Sequence, residues 1–119
     1  MAEVVALVDD VFFQAKLLET ARQAGVQLRT FMTSATFLAE AGQPDVALLV
    51  VDLNARGGAI EALEQLRSAG NQRPVIAFFS HVQTELAERA RAAGCVQVMP
   101  RSKFTKDLAA ILSSAKSPA

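Results

Sequence analysis

The chain of 119 residues reads as one α/β domain, a parallel sheet covered by helices on both faces. Runs that are apolar throughout, Val4–Val8 and Val46–Val51 above all, alternate with stretches whose apolar residues recur at helical spacing. Strands buried on both faces read as continuous apolar runs rather than as alternations. Glycine follows four of the helical stretches, at Gly25, Gly42, Gly70 and Gly94, where it readily stops a helix. Five β-α units in succession predict a parallel sheet whose crossovers are right-handed.

Val4–Val8 is the first strand. Phe12 to Ala24 is the first helix, with Phe13, Leu17, Leu18 and Ala21 sharing a face. Val26–Met32 alternates apolar and polar residues, as a half-buried or edge strand does. Thr33 or Ser34 caps a short helix that runs through Ala41. Val46–Val51 is the most apolar run and takes the central strand; residues 54–58 form a loop. A helix from Ile60 to Ala69 buries Ile60, Leu63 and Leu66. Pro74–Phe79 is the fourth strand, where proline as first residue sacrifices little hydrogen bonding. Thr84 to Ala93 is helical, Val96–Met99 a short strand, and Phe104 to Ser113 a last helix with Phe104, Leu108, Ile111 and Leu112 inward. Residues 1–113 form the domain, and 114–119 a polar tail expected to fray.

Composition narrows the classes. Half the residues are apolar and a fifth charged, which is globular rather than disordered. Twelve basic and twelve acidic residues cancel, so no electrostatic case exists for nucleic acid or an anionic membrane. No apolar stretch approaches the roughly 20 residues of a membrane span. The N-terminus lacks the marks of a signal peptide. Cys95 is alone, which excludes an internal disulfide and a cysteine metal cluster. A cytoplasmic protein is expected.

Three carboxylates stand at strand ends: Asp9 and Asp10 after the first apolar run, Asp52 after the third. Strand ends of one parallel sheet share its carboxyl edge, where open α/β folds place their sites. Carboxylates converging there suit a hard divalent cation, and one can serve as a nucleophile.

In these residues the chain resembles the receiver domains of bacterial response regulators, the CheY-like family of two-component signalling. The pieces are Leu7-Val8-Asp9-Asp10, Val50-Val51-Asp52-Leu53, Pro74-Val75-Ile76-Ala77 and Ala92-Ala93-Gly94, in family order and spacing over almost the whole length. The resemblance implies a flavodoxin-like (βα)5 fold with strand order 2-1-3-4-5. It implies that Asp52 accepts a phosphoryl group from a histidine kinase or phosphotransfer protein. It implies Mg2+, held by Asp9, Asp10 and Asp52 with the Asn54 backbone carbonyl, Asp10 being the more direct of the pair. A cation offsets the repulsion as a phosphoryl group approaches three carboxylates. Signalling would run through protein contacts, since no output domain is expected after the receiver. The first surface to consider is the fourth helix, fifth strand and fifth helix, which could also form a homodimer. The domain is a phosphoacceptor at most, not an enzyme.

The departures are specific. Phe79 stands where receivers carry a switch hydroxyl, with Ser80 one residue later as the candidate substitute. Met99-Pro100-Arg101-Ser102-Lys103 replaces the usual Lys-Pro pair, and counting from Gly94 puts Arg101 in the lysine's place. Lys103 is a second cation that could swing in, but it lies two residues on. A guanidinium is a planar fork, so the exchange is not conservative. Gly57-Gly58 implies a mobile or tightly turned loop after Asp52. A phosphorylation-independent pseudo-receiver is the alternative. A flavodoxin-like enzyme or nucleotide binder fits less well, since Asp9-Asp10-Val11-Phe12 stands where a glycine-rich phosphate loop would be. Asp10 could also be a simple helix cap, and Cys95 an ordinary buried thiol. His81 is a loop residue that could line the site, and Glu85, Glu88, Arg89 and Arg91 make a solvated helix face.

Overall fold

The computed structural model describes residues 3–80 and 84–116. Five parallel strands lie in the order β2-β1-β3-β4-β5. They are β1 (Val4–Leu7), β2 (Leu28–Phe31), β3 (Leu48–Asp52), β4 (Val75–Phe79) and β5 (Gln97–Pro100). Between and after them run α1 (Val11–Ala24), α2 (Ser34–Ala41), α3 (Ala59–Ser68), α4 (Thr84–Ala92), α5 (Arg101–Lys106) and α6 (Leu108–Ser113). The parallel sheet is what the alternation of elements predicts, and its flavodoxin-like strand order is what the receiver resemblance implies.

Side chains of successive strand residues point to opposite faces, so each strand feeds two cores. On one face Val5, Leu7, Leu49, Val51, Val75 and Ala77 pack with Phe37 of α2, Leu63 and Leu66 of α3 and Ala90 of α4. On the other, Val4, Ala6, Val50, Ile76 and Phe78 pack with Phe13 and Leu17 of α1, Phe104 of α5 and Leu108 and Leu112 of α6. Phe13, Phe78 and Phe104 form a ring cluster: Phe78 stacks on Phe104 at 4.5 Å, and Phe13 meets Phe78 edge-on at 5.2 Å. Each fully buried phenylalanine of this kind contributes about 1.5–3 kcal/mol over exposure.

The differences from expectation lie at element ends. Leu18, expected on the buried face of α1, is exposed, because that face is narrower than the spacing suggests. Val26 and Val46 are buried but precede their strands and belong to the approaching loops. The last helix starts three residues early, directly after the extended Pro100, and divides at Asp107, whose carboxylate accepts from Lys103 Nζ at 3.0 Å. Of the tail, residues 114–116 are docked rather than frayed, with Ala115 buried and Lys116 Nζ donating to the Ala24 carbonyl, and residues 117–119 lie outside the described residues. Gly57 and Gly58 both have positive φ (94° and 86°), so the loop after β3 is a tight turn that side chains would strain. At the amino edge of the sheet the Arg67 guanidinium donates to the carbonyls of Asn71, Arg73, Ala93 and Gly94, and so closes the end remote from the acids.

Candidate functional site

The carboxyl ends of β1, β3 and β4 bring three distant segments to one rim. Asp52 is the last residue of β3, 3 % exposed, and the one buried charged side chain among the described residues. Its Oδ1 accepts from the Asn54 N–H at 2.9 Å. Burial pushes its carboxyl above the ordinary range, and Asp9 and Asp10 push the same way; the Asn54 N–H and the Arg101 charge oppose them. The three carboxylates therefore share one field.

Asp10 serves two partners. Its Oδ1 accepts from the Phe13 N–H at 3.1 Å, capping α1, and its Oδ2 accepts from Arg101 at 2.9 Å. The Arg101 bond first, and the helix N–H second, hold its carboxyl below the usual range. Asp9 Oδ2 accepts from the Arg56 backbone N–H at 2.8 Å and from Arg56 Nε at 3.2 Å, which ties the first loop to the third. One side chain thus caps α1 and pairs with Arg101 at the rim.

Arg101 lies just beyond the end of β5 rather than on it. It opens α5, one residue beyond Pro100. Its length compensates, and the guanidinium folds back over the Phe13 ring, 3.9 Å from the centroid. Its second amine approaches Ser80 Oγ at 3.4 Å. Ser80 lies just past β4 and donates its N–H to Asn54 Oδ1 at 2.6 Å, bracing the third loop against the fourth. Phe79 packs beside the core under α3 and α4, on the face opposite Phe78. Lys103 is committed to Asp107 rather than to the acids. Cys95 is half-buried at the core margin rather than fully buried, and burial pushes its thiol up to about 11. Glu85, Glu88, Arg89 and Arg91 are exposed on α4, as expected. His81 lies outside the described residues.

The donor set Asp9, Asp10, Asp52 and the Asn54 carbonyl is all oxygen and acidic, which suits a hard divalent cation. Among the described residues, however, no three acidic, histidine or cysteine side chains are gathered as ligands. The acidic pair is turned instead to Arg56 and Arg101. Two participants escape sequence reading. Arg56 holds Asp9 through a loop closure that no local pattern encodes, and Phe13, legible only as a core residue, is also the platform for Arg101.

No family model matches the chain, and no curated protein matches it in sequence. Solved structures do. A response regulator receiver domain protein from Clostridium thermocellum superposes with a TM-score of 0.82 at 14 % identity, over 97 % of this chain and 94 % of that one. A response regulator from Burkholderia pseudomallei, solved with a phosphorylated aspartic acid, a calcium ion and citrate, gives 0.79 at 15 % identity, over 97 % of this chain and 69 % of that one. NtrX from Brucella abortus, in complex with ADP, gives 0.78 at 18 % identity over 97 % of this chain, which spans only 26 % of the NtrX length. At these identities the likeness shows the fold, and it is that of CheY-like receiver domains. No helix among the described residues is long and apolar enough to cross a membrane.

Proposed function

We propose that this chain is a response-regulator receiver in which Asp52 accepts a phosphoryl group from a histidine kinase or phosphotransfer protein. The observation that carries the reading is the placement of Asp52: a carboxylate kept buried at the functional rim, where burial raises the cost of its charge. Such a carboxylate gains a partner when a phosphoryl group and its counter-charges arrive. An Asp52 oxygen would bond to phosphorus as the bond from phosphorus to the donor imidazole breaks, and that nitrogen would take up a proton. Asp9, Asp10, Asp52 and the Asn54 carbonyl would hold Mg2+, which supplies charge neutralisation at the phosphoryl oxygens. Asn54 holds the Asp52 carboxylate in orientation through its N–H and anchors Ser80 through its side chain.

Output follows from the same contacts. Ser80 begins the connection to α4 and Arg101 begins α5, so groups drawn toward a modified Asp52 shift the α4–β5–α5 face. That face is the proposed surface for a downstream protein or a second copy. A phosphorylation-independent interaction module is the second reading. It is favoured by the Asp10–Arg101 pair, which already neutralises part of the acidic pocket.

Incubation with Mg2+ and acetyl phosphate, followed by intact mass spectrometry, separates the two. The receiver reading predicts a gain of one phosphoryl group by the unmodified protein and none by Asp52→Asn. No gain in either protein overturns it in favour of the interaction module.

A further inference from the structure

We infer that Asn54 is a positioning residue that couples Asp52 to the loop leading to α4: its backbone N–H follows the Asp52 carboxylate while its side chain holds the Ser80 N–H. The inference deepens the phosphoacceptor reading and takes its purpose from it, but its test needs no phosphoryl donor.

The ladder between β3 and β4 runs one step past the paired residues. Asp52 lies opposite Phe78, and the Leu53 N–H donates to the Phe78 carbonyl at 2.8 Å. In a parallel ladder the next donor from the β4 side, the Ser80 N–H, would return to a backbone carbonyl of the neighbouring strand. It donates to the Asn54 side chain, to Oδ1 at 2.6 Å. A side chain stands where a backbone rung would be.

A backbone rung is fixed by the strands that carry it. This one depends on the orientation of Asn54, and that orientation depends on Asp52. The Asp52 Oδ1 accepts from the Asn54 N–H at 2.9 Å, the two-residue closure of an Asx-turn. The segment is pinned on either side: the Ala55 N–H donates to the Asp52 carbonyl at 3.0 Å, and the Leu53 and Ala55 side chains are buried. The Asn54 peptide is the part that the carboxylate sets. When Asp52 Oδ1 no longer accepts, that peptide is free to turn and carries Oδ1 away from Ser80.

The end of β4 gives this coupling its role. Phe79 has no hydroxyl to engage Asp52, and its ring packs against the core on the side of α3 and α4. The hydrogen-bonded path from Asp52 to Ser80 runs through Asn54. Beyond this loop, α4 begins at Thr84 and buries two small side chains, Ala87 and Ala90. A helix seated on so little apolar surface responds to a small change at its entrance.

The test is amide hydrogen exchange at Ser80, followed by nuclear magnetic resonance, in the unmodified protein, Asn54→Ala, Asp52→Ala and the double variant. Far-ultraviolet circular dichroism verifies folding, and the Val50 amide in β3 reports global stability. If Asp52→Ala does not fold, Asp52→Val, nearer in volume, takes its place. Relative to Val50, each single change is expected to speed Ser80 exchange about fivefold, the fold-change of one net hydrogen bond. The double variant should go no further than either single one, because both break the same path. Asp52→Asn keeps an acceptor oxygen and should retain the protection. Unchanged Ser80 exchange in Asn54→Ala or Asp52→Ala overturns the inference. So do single effects that multiply in the double variant, as independent structural roles would give, and a loss of protection in Asp52→Asn equal to that in Asp52→Ala. Mass gain on Asp52 is read separately, so failure of the coupling and failure of the phosphoacceptor reading remain distinguishable.

Discussion

Replacing Phe13 with leucine tests how the core supports the site. Phe13 is buried on α1, meets Phe78 at 5.2 Å and Phe104 at 6.1 Å, and carries the Arg101 guanidinium on its outer face. Each aromatic pair contributes about 0.5–1.5 kcal/mol beyond its area burial. The guanidinium–ring contact contributes about 0.5–1 kcal/mol at a partly exposed position. Leucine retains most of the apolar burial, so Phe13→Leu is expected to cost about 2 kcal/mol. In a domain of this size that lowers Tm by about 8 °C. The chain has no Trp or Tyr, so urea and thermal unfolding are best followed by far-ultraviolet circular dichroism. A double-mutant cycle with Arg101→Ala should return a coupling of about 0.5–1 kcal/mol between ring and guanidinium. A loss below about 0.5 kcal/mol, within the range of an ordinary surface change, together with zero coupling, would refute the claim that this ring is the platform for Arg101.

Further outcomes follow from three ionisable groups. Asp52 has its carboxyl raised by burial, so the folded state binds its proton more tightly than the unfolded chain does. Its contribution is most favourable below the unfolded value of 3.8 and is lost as pH rises through the folded value. Asp52→Asn should therefore stabilise the protein near neutral pH and lose that advantage in acid; denaturation across pH checks this, and a destabilised variant at neutral pH would contradict it. Asp10, held low by Arg101, has the opposite sign: its contribution is present above 3.8 and lost as pH falls through the folded value. Cys95, raised to about 11 by burial, should alkylate slowly in the native protein at mildly alkaline pH and much faster after unfolding. Equal rates in the two states would show that the thiol is not shielded.

The fold was legible because its signals are local. Continuous apolar runs mark strands buried on both faces, and Val4–Leu7 and Leu48–Asp52 fall where those runs predict. The meeting of Asp9, Asp10 and Asp52 was legible for a geometric reason: in a parallel sheet strand ends share an edge, so chemistry at two strand ends is chemistry at one place. What the acids touch was not legible. The Arg56 bond to Asp9 depends on how the Gly57-Gly58 turn folds the third loop back. The position of Arg101 depends on where α5 begins, and helix starts are weakly encoded when no polar cap precedes them, as with Pro100. The count from Gly94 named a residue whose side chain does reach Asp10, because a guanidinium that opens α5 is long enough to fold back over the Phe13 ring. Leu18 shows the converse: helical spacing marks a face, but the width of the groove beneath it decides which edge residues are covered.

The central claim is that remote segments assemble one acidic phosphoacceptor pocket whose occupation reaches α5. Amide spectra recorded while Mg2+ and beryllofluoride, a phosphoryl mimic, are titrated in test it most directly. The account predicts concerted shifts at Asp9, Asp10, Asn54, Ser80 and Arg101 extending into α5, with none in Asp52→Asn. Spectra that stay unchanged, or shifts that persist without the Asp52 carboxylate, would contradict it.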